Sequence, residues 1–163
     1  MATLNTVAIL VEDDYEELEL WYPYHRLREA GIQPLIVGPE EKTYTGKTGR
    51  YPAEADIAVE AAKSADMAGV IVPGGYAPDR MRRHPAMIDL VRQMNLDGKL
   101  VAAICHAGWL LISAGVVEGR RATSYASIRD DMENAGVAWE DSAVVVDGNL
   151  VTSRNPGDLP NFM

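Results

Sequence analysis

The chain has 163 residues, 47% of them hydrophobic and 24% charged, a balance that excludes a disordered chain or a coiled coil and fits one domain over residues 1–163. Its formal net charge of −9 argues against nucleic acid and anionic membrane as partners, since both require a basic face. No apolar run approaches the roughly 18 residues of a spanning helix, and Met1-Ala2-Thr3-Leu4-Asn5 lacks the build of a signal peptide. A single cysteine closes no internal disulfide, so a reducing cytoplasm is the expected setting.

Short apolar runs alternate with helical patterns, which predicts a mostly parallel sheet sandwiched by helices. Val7-Ala8-Ile9-Leu10-Val11 is apolar on both faces, as a central strand must be. Asp14 is the expected cap of the next helix, with Glu17 completing a capping-box pair. Leu20, Tyr24 and Leu27 then recur at helical spacing, and Gly31 closes the helix. Leu35-Ile36-Val37-Gly38 is a second strand, and the Gly-, Thr- and Lys-rich stretch 40–51 is a hairpin or exposed loop. Val70-Ile71-Val72 is a buried strand that stops at Pro73-Gly74-Gly75. A helix over about 85–94 leads to the strand Leu100-Val101-Ala102-Ala103-Ile104, and a further helix runs over about 106–114. Ser127 is the expected cap of a later helix ending near Gly136. Val144-Val145-Val146, the turn at Asp147-Gly148-Asn149 and Leu150-Val151-Thr152 form a hairpin.

Ligands of open α/β sheets bind beyond the carboxyl ends of the strands. Three such ends carry suggestive chemistry here: Glu16 after the first, Gly74-Gly75 after the third and Cys105-His106 after the fourth. Ala103-Ile104-Cys105-His106-Ala107-Gly108 has the small residues that a tight strand-to-helix elbow needs. At a helix start a thiol is expected to ionise more readily than usual, so Cys105 is expected to be a thiolate near neutral pH. A lone cysteine is otherwise a small buried hydrophobe, and the elbow is what favours the nucleophile.

His106 is a candidate base, although neighbours in sequence often point apart, which argues against direct contact with Cys105 in one subunit. Glu16 lies in the acidic run Glu12-Asp13-Asp14-Tyr15-Glu16-Glu17, where crowding and burial favour a protonated carboxyl beside the thiolate. The same run also reads as a solvated first turn that suits the helix dipole. The N–H groups of Gly74 and Gly75 are candidates for half an oxyanion hole, and an ordinary turn is the alternative.

Other patterns carry no chemistry. Gly46-Lys47-Thr48 looks like the end of a phosphate-binding loop, but Glu41 stands where its first glycine belongs. His25, His84 and His106 lack metal-ligand spacing, and Arg80, Arg82 and Arg83 with His84 form a solvated basic face.

Assembled, these stretches resemble the ThiJ/PfpI family of the class I glutamine-amidotransferase-like superfamily. The resemblance is carried by residues 11–16, Tyr22-Pro23-Tyr24-His25-Arg26-Leu27, Val72 through Asp79 and Ala103-Ile104-Cys105-His106. It continues in Thr123-Ser124-Tyr125, Val145 through Asn149 and Thr152-Ser153-Arg154. It implies a flavodoxin-like α/β sandwich, Cys105 as nucleophile, Glu16 as its protonated partner and His106 as the adjacent histidine. It further implies that Asp79 reaches a neighbouring subunit's histidine in a homo-oligomer, and that Tyr125 lines the cleft. Ala107 stands where a glycine commonly follows the histidine, which narrows the pocket. The chain stops at Met163, where relatives continue into a final helix, so apolar sheet surface is expected to need cover from a neighbour. The late His-x-Glu pair of glutamine amidotransferases is missing from Arg154-Asn155-Pro156-Gly157-Asp158, which argues against glutamine hydrolysis.

The implied activity is stress protection, acting on reactive dicarbonyls such as methylglyoxal or on the adducts they leave on proteins. It needs no metal, cofactor or external glutathione. The alternatives are a peptidase with a Cys105-His106-Asp79 triad shared between subunits, and a non-catalytic redox sensor or chaperone with an oxidisable Cys105.

Overall fold

In the computed structural model, which describes residues 5–163, the first apolar run forms β1 (Thr6–Leu10), buried along almost its whole length. Helix α1 (Glu17–Glu29) follows, then β2 (Gln33–Gly38). The stretch after β2 is the expected hairpin, with β3 (Thr43–Tyr44) antiparallel to β4 (Ala53–Glu54), and the short β5 (Ile57–Ala58) comes next. Strand β6 (Gly69–Val72) ends at the Pro-Gly-Gly turn, from which α2 (Ala77–Met81) and α3 (Pro85–Leu96) lead to β7 (Leu100–Ile104). A 3-10 turn over Cys105–Ala107 passes into α4 (Gly108–Ala114). After it come β8 (Arg121–Ala122), α5 (Arg129–Asn134) and β9 (Ala138–Trp139). The chain finishes with β10 (Val144–Asp147), β11 (Leu150–Ser153) and α6 (Leu159–Phe162).

Seven strands form the central sheet in the order β10-β11-β7-β6-β1-β2-β5, all parallel except the β10–β11 hairpin. The mostly parallel, flavodoxin-like architecture is therefore as expected. From β1 the chain first winds outward to β2 and then returns to the other side through β6 and β7. The crevice beyond β1 and β6 is thus the switch point of the sheet, where the connecting loops diverge and leave room for a ligand.

Two expected caps are not formed. Glu16, not Asp14, stands at the start of α1, and no side chain caps it. Asp14 sits at φ 64° and its carboxylate pairs with Arg80, while Glu17 turns away to accept from the N–H and hydroxyl of Thr48. Ser127 lies in a 3-10 turn before α5 and its hydroxyl is engaged with His106 Nε2. In both places a partner distant in sequence takes the side chain that local propensity assigns to a cap. The helix α2 and the short strands β5, β8 and β9 carry too few residues to show a period.

Candidate active site

The site is stitched together by backbone before any side chain enters it. Beyond β1, Tyr15 bridges to Gly75 on one side and to Gly46 on the other. Glu16 N–H donates to the Gly74 carbonyl (3.2 Å), Tyr76 N–H to the Asp14 carbonyl (2.9 Å) and Lys47 N–H to the Tyr15 carbonyl (2.9 Å). Gly75 has φ 76°, and a Cβ there would lie 2.4 Å from the Asp14 carbonyl oxygen, so no other residue fits this crossing without displacing the backbone. Gly74 is equally constrained, since its Cβ would fall 2.6 Å from both the Cys105 Cβ and Glu19 Oε2.

Cys105 occupies the elbow after β7 at φ 64°, a left-handed conformation costly for any side-chain-bearing residue. Its carbonyl accepts from Tyr125 N–H (3.1 Å), which anchors the elbow to the segment before α5. The thiol is 7% exposed at the floor of a cleft of about 520 Å³. His106 sits beside it with Nδ1 3.2 Å from Sγ, so the two neighbours do meet within one subunit, contrary to expectation. The positive φ makes this possible by turning the Cys105 side chain back over the following residue. His106 Nε2 lies 3.1 Å from Ser127 Oγ, its ring stacks on Tyr125 at 4.9 Å between centroids, and Trp109 packs edge-on at 5.2 Å. Burial, and then the Lys47 charge, lower the His106 pKa below the ordinary value, which keeps the imidazole neutral and able to accept a proton.

The carboxyl group beneath the sulfur belongs to Glu19. This residue is wholly buried, and its Oε2 accepts from the Gly74 N–H at 2.7 Å. Burial pushes its pKa up to about 8, so at neutral pH the carboxyl keeps its proton. Oε2 accepts from Gly74, Oε1 has no hydrogen-bond partner among the described residues, and the protonated carboxyl lies beside the Cys105 thiol. Glu16, expected in this role, instead forms an ion pair with Lys47 at the cleft wall. It begins α1, whereas Glu19 lies one turn further in, and that turn decides which carboxylate reaches the sulfur.

The thiol itself departs from the sequence expectation. Burial, joined by the Glu19 charge once that carboxyl ionises above about pH 8, pushes Cys105 up to about 12, so the resting group is a neutral thiol. A three-residue 3-10 turn and the seven-residue α4 supply less dipole than the elbow motif suggests, and near-complete burial outweighs it. The N–H groups of Gly75 and His106 face the sulfur and act in the opposite direction. Gly74 N–H is consumed by Glu19, so of the two expected glycine donors only Gly75 is turned to the reacting centre.

Tyr125 lines the cleft as expected, and Tyr76, Lys47, Ser127 and Pro156 line it as well. Asp79 does not: it borders a separate groove with Arg82, Trp109 and Asp131 and makes no ion pair among the described residues. Glu19 is open to discovery from the sequence, because Glu19, Pro23 and Leu27 repeat every four residues and form a buried stripe of α1. Lys47 and Ser127 come from loops and carry no such signal.

The sequence and the fold have counterparts. A 48% identical deglycase of Pyrococcus abyssi matches over 157 residues, covering 96% of this chain and 94% of its own. General stress protein 18 of Bacillus subtilis is 38% identical over 158 residues, covering 96% and 92%. In a solved two-domain protein of Anabaena variabilis with DJ-1/ThiJ/PfpI-like and ferritin-like domains, the match has a TM-score of 0.95 and 42% identity. It covers 97% of this chain and 46% of that one. The model of the DJ-1/PfpI family matches residues 5–163, and the chain belongs to that family.

Proposed function

We propose that the protein is a cysteine-dependent enzyme that acts on reactive dicarbonyls, or on the adducts they leave on proteins, with Cys105 as nucleophile. The observation that carries this reading is the packing of three groups on one sulfur: His106 Nδ1 at 3.2 Å, the protonated Glu19 carboxyl beneath, and the Gly75 and His106 N–H groups. The deglycase name of a relative 48% identical supports it, and the coarser role of a DJ-1/PfpI-family deglycase or protease rests on such names.

In the reaction the thiol adds to the aldehyde carbon as its proton passes to His106, giving a hemithioacetal. Neutral imidazole is the right acceptor, and transfer during attack avoids forming a free thiolate in a site that disfavours one. The protonated Glu19 carboxyl and the two N–H groups surround the sulfur as charge develops there. Shift of the C1 hydrogen to C2 through an enediol yields a hydroxy thioester. Water then cleaves it, restoring the thiol and releasing a hydroxy acid, which leaves as its carboxylate once it sheds its proton; the sum is dicarbonyl plus water to hydroxy acid. No metal or glutathione takes part, and the cytoplasm suits a single reduced cysteine.

The working form is a homo-oligomer in which Asp79 of one subunit orients His106 of another. Asp79 lies free of ion pairs among the described residues and beside Trp109, which itself packs on His106.

The test is a substrate panel of methylglyoxal, glyoxal, a glycated-lysine peptide and an unmodified peptide, run on wild type and Cys105→Ala without added thiol. Dicarbonyl or adduct turnover that vanishes in Cys105→Ala is expected. Turnover that survives the substitution overturns the nucleophile, and thiol-dependent cleavage of the unmodified peptide alone replaces this reading with the peptidase.

A further inference from the structure

The cleft above Cys105 carries no spare positive charge. Glu16 and the protonated Glu19 line it, and Lys47, paired with Glu16, is the one lysine or arginine among its lining residues. A hydroxy acid formed there carries a carboxylate, and an anion leaving or occupying such a site needs a countercharge.

Lys47 is held as a positioned group rather than as a free surface chain. Its N–H is bound to the Tyr15 carbonyl. The residue before it, Gly46, approaches so close to the Glu17 side chain that a Cβ would lie 2.5 Å from Oε1. The residue after it, Thr48, gives both its N–H and its hydroxyl to the same Glu17 oxygen. The backbone is therefore fixed on both sides, and only the flexible lysine stem is free to move. The two ends of the Lys47–Glu16 pair differ in the same way, the lysine side chain being 43% exposed and the glutamate 11%. Its charge reaches Glu19, Cys105 and His106.

We propose that Lys47 is the anion-recognising residue of the cleft, and that its ammonium exchanges Glu16 for the carboxylate of a small hydroxy acid seated over Cys105. One carboxylate replaces another, so the lysine keeps its pairing while Glu16 serves as the resting partner. The inference rests on reading the cleft as the place where dicarbonyls become hydroxy acids, since that chemistry is what puts a carboxylate there.

Its test needs no turnover. Iodoacetate and iodoacetamide deliver the same carbon to a thiol and differ in one carboxylate, and the single cysteine makes every thiol adduct a Cys105 adduct. The ratio of the two rates cancels the reactivity of the sulfur and reads anion recognition alone. Lys47→Met is expected to lower the iodoacetate-to-iodoacetamide ratio by a factor of about two to five, the effect of a partly exposed ion pair. Lys42→Met removes the same charge at the Tyr44 ring, outside the cleft lining, and is expected to leave the ratio unchanged. Glu16→Gln is expected to raise it, and adding Lys47→Met is expected to abolish that rise. Lactate is expected to slow iodoacetamide in wild type and not in Lys47→Met. A Lys47→Met ratio equal to that of Lys42→Met, or a Glu16→Gln rise that persists without the lysine, overturns the proposal. Misfolding is recognised separately, because an opened cleft raises the iodoacetamide rate. A ratio that responds as expected in a protein without dicarbonyl turnover leaves the anion site standing and removes the proposed reaction.

Discussion

Glu19 takes up a proton when the chain folds. In water its carboxyl titrates near 4.5, while in the folded protein burial raises that value to about 8. Between those limits the folded state binds the extra proton, so stability is fullest below about pH 4.5 and declines as pH rises through 8. Glu19→Gln is neutral throughout and keeps an acceptor for Gly74 N–H, so it is expected to be more stable than wild type. The gap should widen with pH to an upper limit of about 5 kcal/mol, at roughly 1.4 kcal/mol for each tenfold gain in proton affinity. Urea unfolding of both proteins at pH 5, 7 and 9 measures it. Parallel curves would mean that the Glu19 carboxyl is ionised throughout and that its proton cannot support chemistry at Cys105. In the same variant turnover is expected to lose its alkaline fall near pH 8, because glutamine has no proton to shed there.

At the scale of elements, the approach of the β6 and β7 ends depends on a residue without a side chain. Gly74 lies between the Cys105 Cβ and Glu19 Oε2, each 2.6 Å from where a methyl group would stand. Gly74→Ala is expected to cost about 2–4 kcal/mol, since the obstacles are a strand-end backbone and a buried carboxyl that cannot turn aside. It should also separate Glu19 from its N–H donor and abolish turnover. Thermal melting and the substrate panel check the two effects, and a variant with unchanged melting would mean that the turn opens freely. The elements themselves are largely legible in the sequence: β1, β6 and β7 are apolar on both faces, and the turn at 148–149 lies between strand-like runs. Legibility stops where side chains choose between local and distant partners. Asp14 goes to Arg80 and Ser127 to His106, and no local pattern reports either choice. Cys105, His106, Gly75 and Tyr125 stand out in the sequence, but the thiol's ionisation does not, because motif geometry reports position and not burial.

For the whole molecule, the proposed assembly makes the active site a shared property. Cys105→Ala and Asp79→Ala are each expected to be inactive, and mixing them with subunit exchange should restore activity in sites that join an intact Cys105 to an intact Asp79. No recovery despite exchange, or a monomer by light scattering at working concentration, removes Asp79 from the site. The assembly leaves the internal order of the sheet untouched, and that order sets a sequence of events. Strand β7, which ends at Cys105, lies between β6 and β11, and β11 spans residues 150–153. During synthesis β7 is therefore an open edge until residues 150–153 have emerged, and the elbow has no Tyr125 anchor until residue 125 follows. The newborn thiol is accordingly expected to react as an ordinary accessible one. It is expected to become guarded as β11 docks on β7, so the loss of its reactivity would report the closing of that edge.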